Sequence, residues 1–300
     1  MNNGAALLRE SVIQNVMNGR FGTFHDSRHD FLLQIGIEGN SAEFLDVLGE
    51  RLNEVFTKAH GGVGAERSNS TVAIAGTLWE SLAIAYLNTA LAGTCAAAVG
   101  GSRFIPEVIR RMLLLNGYDG IVSPSYSTFI IEHPALRALP YGNYGEWDQS
   151  MTLWLDGEIR EDIESLKLIL LDCRTNFSDT IKEPLLYDWI VGMMRSGNLP
   201  HQIDPKLQNS ELVDYLPRAA SVSLAVITGA KNSVKARSAQ ARRAELISGG
   251  VHWGRPNSIG VARCLSDSVE YFIECGLISP REDSHSETKN EIRKLAHLWT

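Results

Sequence analysis

The chain is expected to be an α/β protein, with a central mixed β-sheet flanked by helices and further helices at its amino end. Three observations predict this. Short apolar runs bounded by turn-forming residues recur at 126–132, 167–174 and 221–229, the lengths of buried strands. The first sixty residues instead repeat apolar side chains at helical spacing. A glycine- and serine-rich stretch, GGVGAERSNS at 61–70, separates the two regimes. With 300 residues, 44% of them hydrophobic, the chain can bury one large core or two modest ones. We divide it into a helical region, 1–70, and an α/β core with a helical tail, 71–300.

Taken in order, residues 5–18 and 41–59 read as amphipathic helices. In the second, Phe44, Leu45, Val47, Leu48, Leu52 and Val55 mark the buried stripe, Ser41 is a plausible cap, and Glu43 and Asp46 favour the first turn. Between these helices lies FHDSRHD, where His25 and His29 stand four apart with Asp26 and Asp30 interleaved. On a helix that spacing suits zinc, but a polar loop or capping cluster is the expected structure. Residues 61–70 form a loop that Arg67, Ser68 and Asn69 could turn toward DNA. GTLWESLAIAYLN is a helix that is apolar almost all round, and PEVIRRMLLLNG a further one, with Pro106 in its first turn and Gly117 as its stop. Strands are expected at 119–123, 126–132, 167–174 and 221–229. The aromatic and glycine-rich stretch 139–154 is a loop between them. In the tail, Ile292, Leu295 and Leu298 can pack on the body or on a second subunit.

Several classes are disfavoured. No run of 18 apolar residues occurs, and MNNGAALLRESV lacks a basic region followed by a long apolar stretch, so a cytoplasmic protein is expected. Cys95, Cys173, Cys264 and Cys275 include no CxxC pair and are expected to be reduced. There is no GxSxG elbow, no GxxxxGK[ST] loop and no GxGxxG fingerprint.

The residues that suggest chemistry are acidic. In LKLILLDCRTN, Asp172 and Arg174 flank Cys173 at the end of an apolar run. Alternation along a strand puts both on one face, about 7 Å apart. Asp119 in NGYDGIVSPSYSTFIIE supplies a second carboxylate, and Glu80 sits inside an apolar helix where a carboxylate needs a partner. If Asp119 and Asp172 share a site they can hold a hard divalent cation, while the guanidinium faces a phosphate. The same residues have plain structural uses. Asp119-Gly120 suits a turn, Asp172 with Arg174 an ordinary ion pair, and Glu80 a buried hydrogen bond.

This pattern resembles the PD-(D/E)XK nuclease superfamily, and within it the type II restriction endonucleases. Asp119 matches the first acid and Asp172 the second, with 52 residues between them; Arg174 stands where the family has lysine. The stretch RTNFSDTIKEPLLYDWIV is similar to the strand end and helix after the catalytic lysine, and Glu80 is like the helix glutamate that supports the metal site. Together these cover residues 76–190. The resemblance implies a restriction-endonuclease-like core and a Mg2+-dependent cleavage of double-stranded DNA at a specific sequence, with Asp119 and Asp172 on the metal, Glu80 in support and Arg174 stabilising the transition state. A homodimer would cut both strands. Arginine stays protonated and has a more delocalised charge than lysine, so it cannot act as a base. Lys167 and Lys182 are alternative ammonium groups, and Glu132 and Asp188 reserve acids.

Net charge is −7, but it is unevenly distributed. Arg218, Lys231, Lys235, Arg237, Arg242 and Arg243 occur within 218–243 without an acid, whereas 156–164 is acidic. Such polarity can present one basic face to DNA, and a strand at 221–229 would deliver Lys231, Lys235, Arg237, Arg242 and Arg243 to the sheet edge that carries the acids. A solvated helix face is the alternative use of these cations.

Overall fold

A computed structural model describes residues 4–19, 24–40, 43–59, 69–100, 106, 109–110, 128–134, 136, 165–174, 221–228, 252–253, 261–262, 268–274 and 276–300. Four helices come first: α1 (Gly4–Gly19), α2 (Phe24–Gln34), α3 (Phe44–Ala59) and α4 (Asn69–Ala90). The strands β1 (Ala96–Gly100), β2 (Thr128–Glu132), β3 (Lys167–Arg174), β4 (Ser221–Thr228), β5 (His252–Trp253) and β6 (Val261–Ala262) follow, then helices α5 (Ser268–Glu274) and α6 (His285–Ala296).

The expected mixed α/β architecture is present. The strands lie side by side in chain order; β1, β2 and β3 form an antiparallel meander, and β4, β5 and β6 continue parallel to β3. The strand expected at 167–174 is β3 residue for residue, and the one at 221–229 is β4 less its last glycine. FHDSRHD, residues 24–30, expected to be a polar loop or capping cluster, is helical and lies within α2. Leu32 at its buried end and the glycine turn that stops it explain why: Ile37 N–H donates to Leu32 O at 2.8 Å and Gly36 N–H to Leu33 O at 3.0 Å, with Gly36 at φ 79°. β1 was not anticipated, since Ala96-Ala97-Ala98 has no β preference of its own. The strand expected at 119–123 lies outside the described residues. Of the helix expected after Pro106, residues 106, 109 and 110 are described, with Arg110 N–H on Pro106 O at 2.9 Å.

The helix α4 is apolar all round because it is the central one. Residues 81–90 are buried throughout, and α1, α3, α6 and β1 all pack on it. Phe44, Leu48, Leu52 and Val55 give α3 its buried stripe, and Phe56 meets Trp79 edge to face with centroids 5.7 Å apart. These helices share one hydrophobic core with Ala96, Ala98, Ile130, Ile169 and Leu171 of the sheet and with Phe272, Leu295 and Trp299 near the carboxyl end. Ala97, Val99, Phe129, Ile131 and Leu168, which alternate with those strand residues, are equally buried but belong to the opposite face. The sheet is therefore an inner layer at β1–β3.

As an edge strand, β1 offers unpaired backbone groups, and two side chains cover them. Asn88 on α4 accepts from Ala98 N at 2.9 Å and donates to Ala98 O at 2.7 Å. Arg9 on α1, fully buried, donates to Ala96 O at 2.6 Å and Thr94 O at 3.0 Å and pairs with Glu291 of α6 at 2.7 Å. Glu291 also accepts from Gly93 N at 2.9 Å. The end of α4 is closed by Arg281, which donates to Ala90 O and Ala92 O, both at 3.1 Å, and by Trp299, whose indole donates to Thr89 Oγ1 at 3.0 Å.

Candidate functional site

The sheet has two ends that differ in chemistry. At one end β1 terminates in Gly100, β2 begins at Thr128, and β3 and β4 terminate in Arg174 and Thr228. Asp172 and Arg174 lie here, at the carboxyl end of β3, with Asp172 level with Val226 and Arg174 level with Thr228 on the parallel neighbour. Because β3 and β4 run in the same direction, the chain leaves both strands at this one edge. The segment that follows Thr228 in the sequence holds Lys231, Lys235, Arg237, Arg242 and Arg243. That segment lies outside the described residues, as do Asp119, Lys182 and Asp188.

Glu80 reaches the same end from α4. It is half-buried, and its Oε1 accepts the hydroxyl hydrogen of Thr128, the first residue of β2. Thr128 is itself 2% exposed and pairs with Gly100, whose missing side chain leaves room for Ile84 of α4: a Cβ there would meet Ile84 Cδ1 at 2.9 Å. The helix therefore sits tight against this end of the sheet.

Alternation divides the residues at this end between the two faces. Ile130, Ile169 and Leu171 pack in the core with α4, and Cys173 packs against it. Positions 128 and 173 belong to that face, whereas positions 172 and 174 fall on the other. Glu80 and the Asp172 position share an end of the sheet but lie on opposite sides of it. Sequence reasoning does not see this division, because it depends on which face of β3 receives α4.

The opposite end of the sheet is a closed structural knot. Glu132, 5% exposed, accepts from Ser279 N at 2.7 Å and Ser279 Oγ at 2.5 Å, and Lys167 lies 3.4 Å from Glu132 Oε1 while donating to Ser279 Oγ at 2.9 Å. Glu132 and Lys167 face each other in register, five residues and about 16 Å along β3 from Asp172. Neither of these reserve groups reaches the Asp172 end. In the FHDSRHD segment, His29 Nδ1 lies 3.2 Å from Thr300 O. Among the described residues no group of three metal-ligating side chains converges, and no helix is long and apolar enough to cross a membrane. Among the described residues neither Cys95 nor Cys173 forms a disulfide.

A cleft of about 460 Å³ opens between α3, α5 and α6, lined by Asp46, Glu270, Arg281, Asp283, Lys289 and Arg293 among others. Thr288 in its wall abuts Gly93, just ahead of β1, so the cleft belongs to the end of the sheet remote from Asp172. Its acids and bases balance, and Arg281 is already committed to α4. In comparisons with known proteins the chain matches no family model, no curated protein and no solved structure.

Proposed function

We propose that the protein is a Mg2+-dependent endodeoxyribonuclease that cleaves double-stranded DNA at a specific sequence, in the manner of type II restriction enzymes. The observation that carries this reading is the parallel β3–β4 register. It sets Thr228, three residues ahead of the first cation of the basic segment, level with Arg174, two residues beyond Asp172. A carboxylate for a hard cation, a guanidinium for the phosphate and a run of cations for the DNA backbone then issue from one edge of a mixed sheet with a helix packed across it. In this reading Asp172 and Asp119 would hold Mg2+, which would supply Lewis acidity to a water nucleophile and to the phosphoryl group. Arg174 neutralises charge that accumulates in the transition state, and Lys231, Lys235, Arg237, Arg242 and Arg243 hold phosphates on either side. A homodimer presents two such edges for the two strands.

The second reading is a catalytically degenerate DNA-binding or scaffold protein, and a specific observation favours it: Lys167 is tied to Glu132 at the far end of β3, leaving only Arg174 as the cation beside Asp172 on that strand. Plasmid incubated with the protein in Mg2+, with and without chelator, separates the two. Cleavage into discrete fragments that is lost with chelator and with Asp172→Ala, while DNA binding persists, is the expected result. Retarded but intact plasmid in Mg2+ and in Mn2+ assigns the second reading instead.

A further inference from the structure

We infer that the cleft between α3, α5 and α6 is a binding site for a small phosphate monoester with an apolar body. The inference does not rest on the nuclease reading. What carries it is which of the charges on the cleft walls are uncommitted. Arg281 is held by Glu270 at 2.5 Å and donates to Ala90 O and Ala92 O, so all three of its guanidinium nitrogens are engaged. Asp283, in the turn before α6, is also engaged, with its N–H on Gly93 O at 3.3 Å. Three side chains remain on the α6 wall. His285, Lys289 and Arg293 line the cleft at successive turns, are exposed, and among the described residues make no ion pair or side-chain hydrogen bond. Facing them from α3 is Asp46, the one lining acid left uncommitted among the described residues. Residues four apart on a helix are neighbours, with Cβ atoms about 5–6 Å apart, and like charges at that spacing repel. An anion between Lys289 and Arg293 relieves this repulsion. A phosphate monoester brings nearly two negative charges near neutral pH, and its tetrahedral oxygens suit an ammonium beside a guanidinium fork. Leu45 of α3 and Ile292 of α6 supply apolar wall, and a volume of about 460 Å³ leaves room for more than the phosphate. The α6 wall is also held in place before any ligand arrives. Thr288 abuts Gly93, and Glu291 pairs with Arg9 at 2.7 Å and accepts from Gly93 N at 2.9 Å, so the cations are presented by a helix already fixed to the α4–β1 joint.

Calorimetric titration of the full-length protein without metal, using phenyl phosphate, inorganic phosphate and phenol as probes, tests the site. Phenyl phosphate should bind saturably and more tightly than inorganic phosphate, and phenol should give no measurable binding. Lys289→Ala and Arg293→Ala should each weaken phenyl phosphate about 10-fold, the share of one charge-assisted hydrogen bond. Lys294→Ala removes the next cation along α6, which is paired with Glu10 and does not line the cleft, and should leave the affinity unchanged. Phenyl phosphate should also raise the thermal midpoint of the wild type, and raise it less in the variant that lacks both Lys289 and Arg293. Absence of saturable binding to the wild type, affinity retained in Lys289→Ala and Arg293→Ala, or an equal loss in Lys294→Ala would overturn the inference. So would duplex DNA that loses affinity in Lys289→Ala and Arg293→Ala while phenyl phosphate fails to bind, because α6 would then be a face for the DNA backbone. A protein that binds phenyl phosphate through Lys289 and Arg293 but cuts no DNA keeps this site and loses only the nuclease reading.

Discussion

Two residues show how local physics sets what this fold tolerates. Gly93 joins α4 to β1 with φ at 78°, a conformation that side chains with a Cβ rarely adopt, and an added Cβ would collide with Thr288 Oγ1. Both penalties act on Gly93→Ala, which is expected to cost about 3 kcal/mol in chemical denaturation, from backbone strain and overpacking together. The buried ion pair tests a different effect. Arg9 is fully buried and Glu291 nearly so, hence Glu291→Ala strands a guanidinium in the interior and is expected to cost about 3 kcal/mol or more. Lys294→Ala breaks a pair of similar length, 2.6 Å to Glu10, but Lys294 is 61% exposed, and the loss should stay below about 1 kcal/mol. Equal losses for the two variants would mean that Arg9 is solvated in solution and that β1 is held by something other than its guanidinium.

Among the elements, α6 states its own start. Ser284 accepts from the Glu287 backbone N–H, and the Glu287 carboxylate accepts from the Ser284 backbone N–H at 3.0 Å and from its hydroxyl at 2.6 Å, a reciprocal cap. Those hydrogen bonds hold the Glu287 carboxyl below its ordinary range. A carboxylate whose folded pKa is depressed contributes stability that is present above the unfolded pKa and lost as pH falls through the folded one. Ser284→Ala should therefore cost about 1 kcal/mol near neutral pH, and the gap from wild type in thermal melts should narrow as acid protonates Glu287. A gap that is constant with pH would show the carboxylate to be idle. Elements of this kind are legible from sequence because their cause is local: the tail helix, α3 and the apolar runs of β3 and β4 all announce themselves by spacing. β1 is not, because Ala96-Ala97-Ala98 becomes a strand only when Asn88, Arg9 and β2 satisfy its backbone. For the same reason Glu80, Asp172 and Arg174 are visible as candidates in the sequence, whereas the face each occupies is decided by where α4 docks.

At the scale of the whole molecule, the proposal turns on the parallel half of the sheet. An antiparallel β4 would have sent the basic segment to the Glu132 end, where Lys167 and Ser279 already satisfy the carboxylate. The parallel register instead ends β4, which the basic segment follows in the sequence, level with the Asp172 end of β3, in a protein whose net charge is −7. Under the proposed reading, DNA binding is local and electrostatic, which makes it measurable. Each phosphate neutralised releases condensed counterions, and the slope of log K against log salt falls by roughly 0.9 per contact. Replacing Lys231, Lys235, Arg237, Arg242 and Arg243 together by alanine should flatten that slope by about 4.5 if each contacts one phosphate, and weaken binding on every duplex alike, because phosphate contacts carry no sequence information. Asp172→Ala should leave the slope measured without metal unchanged while abolishing cleavage in Mg2+. A slope that survives loss of the five cations would place the DNA on another surface and sever the link between the basic segment and the Asp172 edge.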